Sequence, residues 1–349
     1  MALMTRLPRL LLWLLVLAAA AAIGLRHLYD LALQPATSTE ERRFSVPAGA
    51  GLRTTLDQLH AEGLLAHPRL FEVWLRIHRA RYGRALPAVR KGRYRVPAGA
   101  EPRWILEQME QGRVILEQYT IVEGWTFAQA RAGLASLAAV EPTLRDQDDA
   151  AVMATLGKAD VPAEGRIAPD TYRFAEGSTD REILQIALAA QARTLEQAWA
   201  SRDPGLPLRS ADEVLVLASI VEKETGLAEE RPRIAGVFLN RLRRGMRLQS
   251  DPTVIYGLGG RYDGDIRARD LHEDTPWNTY TRPGLPPTPI ALPGKDAINA
   301  VTHPEATDAL YFVALGDGSG GHRFSATLEE HNRAVKRYLR QSKAKGARP

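Results

Sequence analysis

Apolar residues run unbroken from Leu10 to Leu25, and polar residues do not return until Arg26-His27. A helix apolar on every side suits hydrocarbon better than a soluble core, so this stretch predicts a membrane-spanning helix. The strict run covers ~24 Å, and snorkelling of Arg9 and Arg26 with a continuation through Leu28-Tyr29 extends it. Beyond it the pattern breaks into short segments of period 2 and period 3.6. Helices are predicted over Pro68–Arg81, Asp180–Ala200, Ser210–Thr225, Glu229–Arg244 and Asp296–Val301, and less regularly over Glu141–Ala159. In Pro68–Arg81 the apolar residues Leu70, Val73, Trp74 and Ile77 form the expected core face. A strand at Ala309–Leu315, a turn at Gly316–Gly321 and a returning strand at Arg323-Phe324 precede a last helix capped at Thr327–Glu330. Mixed strands and helices of this kind predict an α+β fold.

Two segments repeat. Phe44–Gly63 reads FSVPAGAGLRTTLDQLHAEG and Tyr94–Gly112 reads YRVPAGAEPRWILEQMEQG. Phe44 matches Tyr94, Val46–Ala50 matches Val96–Ala100, Leu56 matches Leu106, and Gln58 matches Gln108. Each copy is a short alternating strand, a Pro-Ala-Gly turn and an amphipathic helix. A weaker third copy occupies Tyr119–Leu134. Such units resemble the LysM type of glycan-binding module; reuse of one unit for packing alone accounts for the repeat equally well. The expected organisation is an anchor over 1–30, a polar linker over 31–43, LysM-like repeats over 44–118, a connecting region with the third unit over 119–205, and a last domain over 206–345. Lys336–Arg348 reads as a solvated basic tail.

Composition narrows the chemistry. The 349 residues carry no cysteine, which removes disulfides, thiol nucleophiles and thiolate metal sites. The net charge is +5. Arg6 and Arg9 ahead of the apolar run keep the N-terminus in the cytoplasm and send the body across the membrane. Small residues at Ala18–Ala22 also permit a cleaved signal peptide, but the Arg at the end of the run favours an uncleaved anchor. Either way nucleic acid is an improbable partner for the basic surface.

The candidate chemistry is at Leu217–Gly226, LASIVEKETG. Ser210 and Glu213 form a capping box at the start of this helix, and Gly226 is placed as its C′ residue. At 100° per residue, Glu224 shares a face with Glu213, Leu217, Ile220 and Val221. Glu222 points nearly the opposite way, towards Leu215, Ala218 and Ser219. The two acids therefore do not act as a pair. A carboxyl against apolar side chains has a raised pKa, which suits a general acid at neutral pH. A solvated helix end is the plainer reading of the same charges. Downstream, Asp251 as N-cap and Pro252 start a short helix, and four prolines stiffen Pro283–Pro289. Tyr, Trp, Asn and Gln in such rigid loops suit sugar faces and N-acetyl groups. His303 and His322 are isolated and read as cleft or structural residues, and no HExxH pattern occurs.

IVEKETG, VFLNRLRRGMRLQSDPTVIYG, WNTYTRPGLPPTPI and LYFVALGDGSGGHRF, in this order behind the apolar run, resemble the YceG-like family of endolytic murein transglycosylases. The resemblance implies a lyase with no cofactor or metal. It assigns the catalytic acid, the Glu before Thr in the first motif, to Glu224. It implies substrate contacts at Gln249, Ser250, Tyr256, Asn278 and Tyr280. It also implies a single-pass protein of the inner membrane with its catalytic domain in the periplasm. The partners would then be nascent peptidoglycan strands and the polymerases that make them. A hydrolysing muramidase would instead need a second carboxylate, for which Asp251 and Asp263 are the candidates. A non-catalytic cell-wall scaffold is the remaining alternative.

Overall fold

The computed structural model describes residues 7–344 apart from Thr37 and Ala48; Arg6 and the end of the basic tail, from Lys345, lie outside the described residues. In chain order the elements are α1 (Leu7–Ala32), β1 (Arg42–Val46), α2 (Leu52–Ala61), α3 (Pro68–Arg81), β2 (Gly92–Val96), α4 (Pro102–Gln111), β3 (Leu116–Thr120), α5 (Phe127–Ala135), β4 (Val140–Glu141) and α6 (Asp149–Thr155). They continue as β5 (Thr171–Ala175), β6 (Ser178–Thr179), α7 (Asp180–Ala200), α8 (Ala211–Glu224), α9 (Arg231–Arg243), α10 (Asp251–Leu258), α11 (Ala268–His272), α12 (Lys295–Thr302), β7 (Tyr311–Ala314), β8 (His322–Ser325) and α13 (Leu328–Ala344). The mixture of helices and small sheets is the expected α+β class. Two compact units divide the chain: one runs to Glu117 and takes in Phe174–Gly177, the other holds the rest.

In the N-terminal unit the two sequence copies are halves of one core rather than separate modules. Their strands β1 and β2 pair antiparallel, and Phe44 lies opposite Tyr94, its own counterpart in the repeat. Phe44, Val46, Leu56, Tyr94, Val96 and Leu106 all join a single buried cluster. One strand with one helix buries too little to stand alone, so each copy completes the other. Gly49 and Gly99 in the two Pro-Ala-Gly turns both have positive φ (77° and 64°), which accounts for glycine at that place in each copy. The polar stretch read as a linker is tied down in part: Ala36 is buried and its N–H donates to the Ala100 carbonyl at 3.0 Å.

The expected core face of α3 is not the buried one. Phe71, Glu72 and Leu75 face inward, while Val73 and Ile77 are 54% and 65% exposed. Glu72 is held in place by Arg76, which donates to it at 2.8 Å, and by Arg69. With Arg53 also 3.8 Å away, three arginines around one acid turn the charged side of the helix into a protein-facing side, which periodicity alone does not reveal.

The C-terminal unit is organised around α8. Val214–Val221 are buried on every side of the helix, packed by α7, α9 and α12. Ser210 caps α8 by accepting from the Glu213 N–H at 3.3 Å. Glu213 does not close a box on Ser210, because its carboxylate accepts from the Arg209 N–H at 2.6 Å. At the other end Thr225 is extended (φ −145°, ψ 138°), so the helix stops without a left-handed glycine and Gly226 does not act as a C′ cap. Strands β7 and β8 form an antiparallel hairpin with Phe312 opposite Phe324. The loosely patterned stretch 141–159 resolves into strand β4 and the single short helix α6.

Candidate active site

The end of α8 sorts its two acids into different surroundings. Glu222 is buried against protein: its Oε1 accepts from Arg231 Nη2 at 2.9 Å and its Oε2 from the Gly294 N–H at 2.9 Å. Arg231 also lies 3.5 Å from Glu123. The opposite face of α8 is thus core as well, and Glu222 is an interior ion-pair residue, not a surface one.

Glu224 is only partly covered and opens into a cavity of about 450 Å³ lined by Arg241, Gln249, Asp251, Tyr280, Tyr311 and His331 among others. Burial of its carboxyl raises the pKa to about 7. Ser250 Oγ donates to Glu224 Oε1 at 2.6 Å and pulls the other way, as does the charge of Arg241, while Asp251 adds to the rise. At neutral pH the group is therefore split between acid and carboxylate, which suits proton transfer in both directions.

The residues around it are placed by short-range bonds. Ser250 is the N-cap of α10, but its hydroxyl caps nothing because it is turned to Glu224. Asp251, expected as the N-cap, is instead the first residue of α10. The Ser250 N–H donates to Thr279 Oγ1 at 3.0 Å, and Thr253 and Thr279 hydroxyls meet at 2.9 Å. Gln249 has φ +51°, a strained conformation for a residue with a Cβ, at the lip of the cavity. Tyr280 donates its hydroxyl to Asp251 Oδ1 at 2.5 Å.

Four of the residues expected at the site, Glu224, Gln249, Ser250 and Tyr280, are brought together here. Two are not. Asn278 is buried with its amide fully used: Nδ2 donates to the carbonyls of Asp270, Leu271 and Glu273, and Oδ1 accepts from the Tyr280 N–H at 2.8 Å. It shapes the loop that presents Tyr280. Tyr256 packs edge-on to Trp277 with centroids 5.4 Å apart, and its hydroxyl donates to Glu164 Oε2 at 3.2 Å. Glu164 itself is buried and carries a pKa raised to about 7 by desolvation, even with the Phe127 N–H donating to it at 2.9 Å. Of the two candidate second carboxylates, Asp251 lines the cavity, whereas Asp263 is ion-paired with Arg267.

Sequence reasoning missed Arg241 and His331. Arg241 is buried, donating from Nε to the Leu310 carbonyl and from Nη1 to the Leu248 carbonyl, each at 2.6 Å. In sequence it is one of four arginines near the end of α9, and nothing there sets it apart. His331 stacks on Tyr311 at 5.1 Å and faces the cavity. The histidines singled out from sequence lie elsewhere: His303 contacts the Ser201 carbonyl at 2.8 Å, and His322 pairs with Glu230 at 2.7 Å.

The YceG-like family matches residues 44–337. An endolytic murein transglycosylase of Bacillus subtilis strain 168 is 28% identical over 91% of this chain and 91% of its own length. One from Streptococcus pneumoniae strain D39 is 28% identical over 94% of this chain, which spans 64% of that longer protein. The crystal structure of a YceG-like protein from Listeria monocytogenes is 28% identical, covers 85% of this chain and 99% of its own, and superposes with a TM-score of 0.53. The chain belongs to the YceG-like family.

Proposed function

We propose that the chain is an endolytic lytic transglycosylase that cuts nascent peptidoglycan strands between N-acetylmuramic acid and N-acetylglucosamine. The observation that carries this reading is one carboxyl, Glu224, where a buried helix ends in a cavity, with the Ser250 hydroxyl donating to it at 2.6 Å. Family membership and the names of the relatives support it.

In this mechanism protonated Glu224 gives its proton to the bridging oxygen. The bond from that oxygen to C1 of the muramoyl sugar breaks, and positive charge develops on C1 and the ring oxygen. The carboxylate left on Glu224 takes the proton of the C6 hydroxyl of the same sugar. That oxygen closes on C1 as a 1,6-anhydro ring, and Glu224 is protonated again. No water is consumed. Ser250 steadies the carboxylate between the two transfers by donating to it. The Asp251–Tyr280 pair places negative charge at the same cavity, where it favours the cationic transition state.

Around this core the proposal extends outward. α1, long and apolar enough to cross a membrane, anchors the chain in the inner membrane with its catalytic unit in the periplasm. The paired repeats of the N-terminal unit serve as a LysM-like glycan grip. Cutting near the polymerases ends strand growth. Asp251 also keeps a hydrolysing reading alive, since a muramidase needs a second carboxylate at the cavity. Glu224→Gln tested on purified glycan strands decides whether this cavity is the catalytic one. A loss of about 10²–10⁴-fold is expected for removing a general acid, and full activity would sink the assignment.

A further inference from the structure

The apolar stripe of α3 is left without a protein partner, and the elements next to it say what covers it. Val73 and Ile77 are more than half exposed on one side of α3, and Tyr82 follows beyond its end. A ladder of rings runs along the same helix. Trp74 stacks on His78 with centroids 4.8 Å apart, and His78 lies 5.1 Å from Tyr82. The near end of the ladder is the edge of Trp74 against Tyr29 of α1, at 6.5 Å.

This contact fixes depth. The apolar part of α1, Leu11–Ala32, is 22 residues long, about 33 Å of helix against a hydrocarbon core of about 30 Å. Tyr29 therefore sits at the outer edge of that core, where Tyr and Trp are enriched. α1 is not hinged there. Ala32 is buried, Leu33 packs on the unit's core, and Ala36 is hydrogen-bonded to Ala100. Trp74 is thus held at the same level as Tyr29, and Val73 and Ile77 flank it. Arg81 and Arg84, at the C-terminal end of the stripe, carry no ion pair among the described residues.

We propose that α3 lies in the headgroup layer of the leaflet into which α1 emerges. Val73 and Ile77 dip into the acyl boundary, Trp74 and Tyr82 sit in the aromatic belt, and Arg81 and Arg84 rest on lipid phosphates. An apolar stripe bordered by aromatic rings and exposed arginines has the make-up of an interfacial helix. The N-terminal unit is then pinned to the bilayer by two elements, a span and a surface helix. The proposal rests on the reading of α1 as a membrane span.

The chain has no cysteine, so Val73→Cys, Ile77→Cys and Leu17→Cys each give one labelling site in the full-length protein. Each variant is labelled with a fluorophore and placed, one copy per disc, in nanodiscs of anionic lipid. Quenching by lipids brominated on the acyl chain is compared with quenching by a water-soluble ion. Leu17 sets the lipid limit and the unattached label in buffer sets the water limit. Labels at Val73 and Ile77 are expected to be quenched severalfold more by brominated lipid than the free label. A Leu17 label quenched by lipid beside Val73 and Ile77 labels at the water limit overturns the interfacial placement and leaves the anchor standing. A Leu17 label at the water limit overturns the anchor and the placement together. Labels shielded from water only when two copies share a disc would assign the stripe to self-association and also overturn it.

Discussion

Two residues apart on one helix end, Glu222 and Glu224 answer to different physics. Glu222 is paired with Arg231 in the interior, so Glu222→Ala leaves a buried guanidinium with weaker partners. A loss of about 3 kcal/mol in unfolding free energy is expected, with the folded fraction still making product. Glu224→Gln has the opposite profile: activity goes and the fold stays. Its effect on stability depends on pH. Folded Glu224 titrates at about 7 against an ordinary 4.5. The unfolded chain gives up that proton earlier, so the wild type loses stability as pH rises from about 4.5 to 7. Melting curves should show Glu224→Gln gaining on the wild type by about 1–3 kcal/mol between pH 5 and pH 8; a pH-independent difference would show that the carboxyl is not held near neutrality. Catalysis gives a second check. Because the first step needs the acid, kcat/KM should fall as pH rises through about 7. Ser250 donates to the carboxylate and so favours its ionised form. In Ser250→Ala the falling limb should move to higher pH, and a move to lower pH would contradict the assigned role.

At the scale of elements, α8 is positioned by how closely its neighbours approach one another. Gly236 in α9 faces the backbone carbonyl of Glu305, and a Cβ there would come within 2.6 Å of that oxygen. In an exposed helix Gly→Ala is stabilising by about 1 kcal/mol. Here the carbonyl cannot rotate away as a side chain would, so Gly236→Ala is expected to cost about 1–3 kcal/mol in chemical denaturation. The site's own elements were unevenly legible. The apolar-rich helices α3 and α7 could be read from periodicity, and α8 from its Ser210 start as well. The wheel also separated Glu222 from Glu224. What it could not supply was the partner on each side: α8 is buried all round, so both faces are core and only one end opens to the cavity. Asn278 and Tyr256 show the same limit. Both are polar residues in Pro-rich surroundings, as sugar contacts would be, yet one amide is used up by backbone carbonyls and one hydroxyl by Glu164. Arg241 was hidden for the converse reason, a buried cation in a run of exposed ones.

For the molecule as a whole, the repeat was legible as a repeat, but its meaning was set by pairing. Strands too short to stand alone met across Phe44 and Tyr94 and made one core from two copies. In the proposed reaction Glu224 acts alone, as acid and then as base, with the substrate's own hydroxyl as nucleophile. Digestion of purified glycan strands in ¹⁸O-labelled water, followed by mass spectrometry of the new ends, tests this most directly. Anhydro ends that carry no label, lighter by one water than a reducing end, are expected. New ends with one ¹⁸O at C1 would contradict it, and would make Asp251 the base of a hydrolase.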